Sequence, residues 1–186
     1  MLKRLLLSLL PVLALAFVLV GAAVASTDVE CSGALGAVTV DSVLVPEGAT
    51  CTLDGTRVRQ NITVLSGASL TANAVRAGGN IQADGAEAIA INAGSVVRQS
   101  VDIKQGNTAQ IDQALIRGTL KLEQNQGAVS VTNNRVGQNL RADQNTGGVT
   151  ISDNIIGREL RCRDNEPPPV GGGNSAPIKR DQCAGL

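Results

Sequence analysis

Apolar residues recur along this chain with a period of 19 or 20 positions. Apolar–x–apolar pairs begin at Val43, Ile62, Ile81, Val101, Leu120, Leu140 and Leu160. A second pair follows inside each unit: Cys51/Leu53, Leu70/Ala72, Ile89/Ile91, Ala109/Ile111, Val129/Val131 and Val149/Ile151. A single apolar slot precedes each new unit, at Val58, Ala77, Val97, Ile116, Val136 and Ile156. Alternation with period two marks a short strand with one face turned inward. Glycines between the pairs, such as Gly67, Gly85, Gly106, Gly127 and Gly147-Gly148, mark turns. A unit this short cannot bury its own apolar face, but stacked units can. The pattern predicts an all-β, single-domain parallel β-helix. About seven right-handed turns of 19–20 residues are expected, with three short strands per turn. A leucine-rich repeat would need its L-x-x-L-x-L signature and a hexapeptide coil a six-residue period. Neither is present.

The segments outside the repeat read differently. Lys3 and Arg4 precede an apolar run, Leu5 to Val20, and Ala23-Val24-Ala25 forms a small-x-small site. Residues 1–25 are therefore expected to be a cleaved secretory signal peptide, with the cut before Ser26. Residues 26–42 are expected to cap one end of the coil, which occupies residues 43–165. Residues 166–186 are expected to form a C-terminal loop and cap. Pro167-Pro168-Pro169 and Gly171-Gly172-Gly173 argue against regular strand there.

Four cysteines in an exported chain predict disulfides. Cys51 sits in an inward slot of the first turn and Cys162 in one of the last. Pairing Cys31–Cys51 and Cys162–Cys183 ties each cap to its neighbouring turn. The other connectivities would bridge opposite ends of a rod. The chain has no C-x-x-C motif and no histidine, so neither a metal site nor a cofactor is expected.

Composition narrows the chemistry. The only Phe and the only Met lie in the leader, and the chain contains no Trp, Tyr or His. The mature protein therefore lacks the rings on which sugars and bases stack, and the commonest neutral-pH base. The whole chain carries 16 basic and 16 acidic residues, so loss of Lys3 and Arg4 leaves a small acidic excess. Nucleic acid is a poor partner for such a chain. Asparagines recur in columns, Asn134/Asn154 and Asn125/Asn145/Asn165. Turn chemistry and hydrogen-bonded stacking account for them without a ligand.

With its repeat over 43–165, the chain resembles the parallel β-helix superfamily that includes pectin-lyase-like proteins. The tail Leu160-Arg161-Cys162-Arg163-Asp164-Asn165, then Gly171-Gly172-Gly173-Asn174 and Asp181-Gln182-Cys183, is similar to that of small secreted bacterial β-helix proteins without assigned activity. The resemblance implies an architecture and an extracytoplasmic setting; fold alone transfers no activity.

Three uses of the outer faces follow. A secreted or envelope protein without catalysis would bind glycan, a cell-surface polymer or a second copy through a flat face. The second-strand face, with Ser69, Thr71, Ser130, Thr132, Thr150 and Ser152, suits that role. The resemblance to β-helix lyases and hydrolases supports an alternative on the charged first-strand face. There Asp102, Glu123 and Asp143 would supply carboxylates, with Arg141 or Arg161 gripping an acidic sugar. Salt-bridge ladders are the simpler account of that face, with Asp102 beside Lys121, Lys104 beside Glu123 and Asp143 beside Arg163. A third use, ice binding, rests on approximate T-x-T steps at the second-strand positions. No transmembrane segment is expected in the mature chain.

Overall fold

The computed structural model describes residues 28–186; the expected leader lies outside these residues. Three parallel sheets run the length of the molecule. The first has nine strands, from Asp28–Glu30 to Ile178–Asp181. The second has eight, from Ala34–Leu35 to Val170–Gly172. The third has seven two-residue strands, from Thr39–Val40 to Ile155–Ile156. The chain visits the sheets in rotation, and every pairing is parallel to the strand one layer away. This is a parallel β-solenoid.

The inward slots read from the sequence are the core. Val43, Ile62, Ile81, Val101, Leu120, Leu140 and Leu160 pair in register down the first sheet and are all buried. The second-strand pairs and the single third slots are buried as well. Each core side chain therefore packs on its counterpart in the adjacent layer. Aliphatic residues suffice, because β-branched side chains stack well on a pleated surface.

The coil is longer than seven turns, about eight in all. Residues expected only to cap the N-terminal end contribute Asp28–Glu30, Ala34–Leu35 and Thr39–Val40, one strand to each sheet. At the other end Val170–Gly172 adds to the second sheet beside Val149–Ser152, against the expectation of loop. Gly171 can do this because a Cβ there would lie 2.1 Å from the Ile151 carbonyl oxygen. Glycine is what lets this strand come close enough to pair. Ile178–Asp181 then closes the edge of the first sheet against Glu159–Arg163.

The asparagine columns are buried ladders at two corners. The residue before each ladder member turns the corner with positive φ: Gln124, Gln144 and Asp164 at one corner, Asn133 and Asp153 at the other. Asn145 Oδ1 accepts from both the backbone N–H and the Nδ2 of Asn125, at 3.0 and 2.9 Å. Asn145 Nδ2 donates to the Leu122 carbonyl at 3.0 Å, and its N–H and Nδ2 donate to Asn165. The second corner repeats the scheme through Asn134, Asn154 and Asn174. Gln182 ends the first ladder by accepting from Asn165 and donating to its carbonyl. Each amide thus meets corner groups that the sheets leave unpaired, which would otherwise be costly inside the core.

Disulfides join Cys31 to Cys51 and Cys162 to Cys183, with Cα–Cα separations of 5.5 and 5.2 Å. Their loops span 20 and 21 residues, one at each end of the stack. The chain-entropy model assigns each about 3 kcal/mol.

Two stability outcomes follow. Asn145→Ala strands two donors of Asn125 and the Leu122 carbonyl, so it is expected to cost about 3 kcal/mol; exposed Thr146→Ala should stay within about 0.5 kcal/mol. Equal denaturation midpoints for the two variants would contradict the ladder's role. Replacing either cystine by a serine pair should lower stability by about 3 kcal/mol, and the two losses should add because the sites lie far apart. Urea unfolding of the three variants measures this directly.

Candidate functional site

The first sheet gathers the expected charged residues on one outer face. Asp102, Lys121, Arg141 and Arg161 form one column through successive layers, and Lys104, Glu123, Asp143 and Arg163 the next. The register matches the expectation; the ion pairs do not. Lys121 bonds Glu123 on its own strand at 2.7 Å, and Arg161 reaches diagonally to Asp143 at 2.6 Å. Lys104 pairs with Asp84 at 3.0 Å and Arg163 with Asp181 at 2.7 Å. Lys104 meets the residue directly opposite in the preceding layer, Asp84. The other long side chains lean along the strand, so their charged tips meet diagonal or same-strand partners.

This packing sets the electrostatics of the face. The hydrogen bond to Glu123 raises the Lys121 pKa, against the lowering effect of burial; the charges of Asp102, Glu123 and Asp143 add to the rise. Buried Oδ1 atoms of Asp102 and Asp143, and Nε atoms of Arg141 and Arg161, have no hydrogen-bond partner. A depression of about 240 Å³, lined by Thr63, Gln82, Asp84, Asp102 and Lys104, adjoins the cluster on its N-terminal side. Of the three carboxylates expected to act together, Glu123 and Asp143 are engaged in ion pairs. Only Asp102 borders the depression.

The second-sheet face is less regular than its sequence suggests. Thr71, Ala90, Gln110, Ser130 and Thr150 share one column. Ser69 lies in the column to one side, with Ala88 and Thr108. Thr132 and Ser152 lie in the column to the other side, with Asp112. The T-x-T steps of the two halves are therefore offset by one column. Thr132 also donates its hydroxyl to Asp112 at 2.7 Å. A surface matched to a crystalline lattice needs one regular array, and this face has two half-arrays out of step.

The third sheet carries a feature that sequence reasoning missed. Its outward positions hold Arg57, Arg59, Arg76, Arg98, Arg117 and Arg135, all exposed. The first five line a groove of about 320 Å³, together with half-buried Val96 and Leu115 and with Gly78. Arg59 bonds Asp41 at 2.8 Å. The other five have no ion pair among the described residues. The signal lay in the short segments Arg57-Val58-Arg59, Arg76-Ala77, Val97-Arg98 and Ile116-Arg117. Each flanks a third-slot residue with arginine, always on the outward side.

Among the described residues, no group of three His, Cys, Asp or Glu side chains is placed to hold a metal ion. No helix there is long and apolar enough to cross a membrane. No protein-family model, no curated protein and no solved structure matches the chain.

The Thr132–Asp112 bond has a measurable consequence. Hydrogen bonds from Thr132 first, then Asn133, hold the Asp112 carboxyl below its ordinary value. A depressed folded-state pKa stabilises the fold above the unfolded value of ~3.9, and that contribution is lost as pH falls through the folded pKa. Thr132→Val should move the Asp112 titration upward in a carboxyl-carbon NMR experiment. Its stability deficit should be present at neutral pH and fade in acid. An unmoved Asp112 titration would show that the bond does not exist in solution.

Proposed function

We propose that this protein is a secreted, non-catalytic rod that associates with the cell surface or an extracellular polymer through its flat faces. One observation carries the reading: all three faces are open. The longest connection between described strands, residues 164–169, has six residues, so no loop rises to wall a cleft. Enzyme sites enclose most of a small substrate, whereas an open sheet face meets another extended surface. Two disulfides suit an oxidising, extracytoplasmic setting. The kinship with small secreted bacterial β-helix proteins, and with the pectin-lyase-like superfamily behind them, belongs to this same reading.

A second reading keeps one specific support. The buried, unpartnered Oδ1 of Asp102 beside the first-sheet depression is a group that a substrate could satisfy. In that case the charged face cleaves a polysaccharide, with Asp102, Glu123 and Asp143 as carboxylates and Arg141 and Arg161 as sugar-binding groups.

The two separate experimentally. The secreted chain is expected to cosediment with envelope material and to release no new reducing or unsaturated ends from acidic polysaccharides. Turnover that Glu123→Ala/Asp143→Ala abolishes would favour the enzyme. A second-sheet contact predicts that Thr71→Glu/Ser130→Glu/Thr150→Glu reduces retention at least fivefold. Retention unchanged by that triple variant would remove this face from the contact, and failure of the wild type to sediment with any surface material would remove the function itself.

A further inference from the structure

We infer that the third-sheet groove binds a linear acidic polysaccharide with one anionic group per sugar, its chain running along the solenoid axis. This deepens the surface-polymer reading and rests on it.

The charge pattern is the first support. The first sheet mixes acidic and basic side chains, and most of its basic ones pair with an acidic one. On the third, five of the six arginines have no ion pair among the described residues. Arg57 and Arg76 lie directly opposite one another in adjacent layers. Arg98 and Arg117 also follow in neighbouring layers, joined by the Arg117 N–H to Val97 carbonyl bond at 2.9 Å. Segments 55–60, 74–79, 94–99, 113–118 and 133–138 contain no Asp or Glu. Like charges facing each other across a sheet are destabilising. A fold serving only itself gains nothing from five exposed guanidinium groups without ion pairs, while an anionic ligand turns that repulsion into attraction.

Shape and spacing select the ligand. The groove crosses four successive layers, a run of roughly 15 Å at ~4.8 Å per layer. A pyranose advances a glycan chain by a length close to one layer, so one anionic group per sugar meets about one arginine per layer. Every cation lining the groove is arginine, with no lysine. The planar guanidinium fork holds a carboxylate through two parallel bonds, which an ammonium cannot do. Val96 and Leu115 continue the column of Arg57 and Arg76 and give the groove an apolar side beside Arg98 and Arg117, suited to the C–H face of a sugar ring. Gly78, at the groove between Arg59 and Arg98, lets the backbones of two layers approach closely: a Cβ there would sit 2.1 Å from the Arg59 carbonyl oxygen. Nucleic acid fits less well. No described residue is aromatic, so bases find no stacking platform. The chain as a whole has no basic excess to draw in a phosphate backbone.

Isothermal titration of the full secreted chain tests this. Alginate carries a carboxylate on every sugar and hyaluronan on every second one; dextran is neutral. Alginate should bind, hyaluronan at least fivefold more weakly at equal carboxylate concentration, and dextran not at all. Arg98→Gln/Arg117→Gln should weaken alginate binding at least tenfold at an unchanged melting temperature. Arg98→Lys/Arg117→Lys should recover only part of the loss, and Arg163→Gln, outside the groove, should stay within twofold of wild type. Undiminished binding by the glutamine double variant would overturn the site. Equal binding of hyaluronan would overturn the one-charge-per-layer match. Duplex DNA or phosphatidylglycerol vesicles binding as tightly as alginate would overturn the ligand class. A wild type that ignores alginate but still sediments with envelope material would overturn the groove and leave the surface reading standing. A wild type that sediments with nothing would remove both.

Discussion

In-register stacking is the constraint on which this structure depends. Each layer makes its backbone hydrogen bonds almost entirely to the layers above and below. A residue at a given slot is therefore pressed against the residue 19 or 20 positions away, and its chemistry must suit that neighbour. Aliphatic slots satisfy this by packing. Corners satisfy it only where the side chain restores the hydrogen bonds that a turn leaves open. The asparagine ladders do so because one amide offers a donor and an acceptor to different layers at once. Where the N-terminal layers lack asparagine, smaller devices serve. Ser95 accepts from the Val75 N–H and donates to the Ala72 carbonyl, and Thr56 donates to the carbonyls of Leu35 and Gly36.

The same constraint explains what the sequence made legible. Inward slots obey period two and repeat at fixed spacing, so the column from Val43 to Leu160 is legible in the sequence. Once those slots were numbered, the places of Cys51 and Cys162 followed, and with them the pairing of the staples. The ladder was visible at Asn125, Asn145 and Asn165, but its last member is a glutamine in the tail, Gln182, outside the repeat. Val170–Gly172 carries no strand signal in the sequence because proline and glycine normally end strands; here the close approach to Ile151 requires glycine. Repeat length gave way at the ends, where short strands carry too few apolar positions to announce themselves.

The outer faces were harder, for a different reason. Outward side chains answer to solvent and to partners, so no periodicity enforces them. Balanced totals conceal an uneven distribution: the first sheet mixes acids and bases, while the third carries six exposed arginines and few acids. Diagonal ion pairs such as Arg161–Asp143 depend on how long side chains lean, which no register reveals. The three faces consequently differ in kind: one charged and largely paired, one made mostly of small uncharged side chains, one basic and open.

The position of the cystines has a consequence for the evolution of the molecule. Each closes a loop between an end segment and the layer beside it, and neither spans the middle. Interactions in the interior are all between nearest neighbours, so a stack of this kind has no intrinsic count of its own. A tandem duplication that copied one whole unit, with its corner asparagines, would lengthen the rod by a layer and find both ends already closed. Length is therefore open to selection without rebuilding either end, and a surface that reads partners by the layer can be extended one increment at a time.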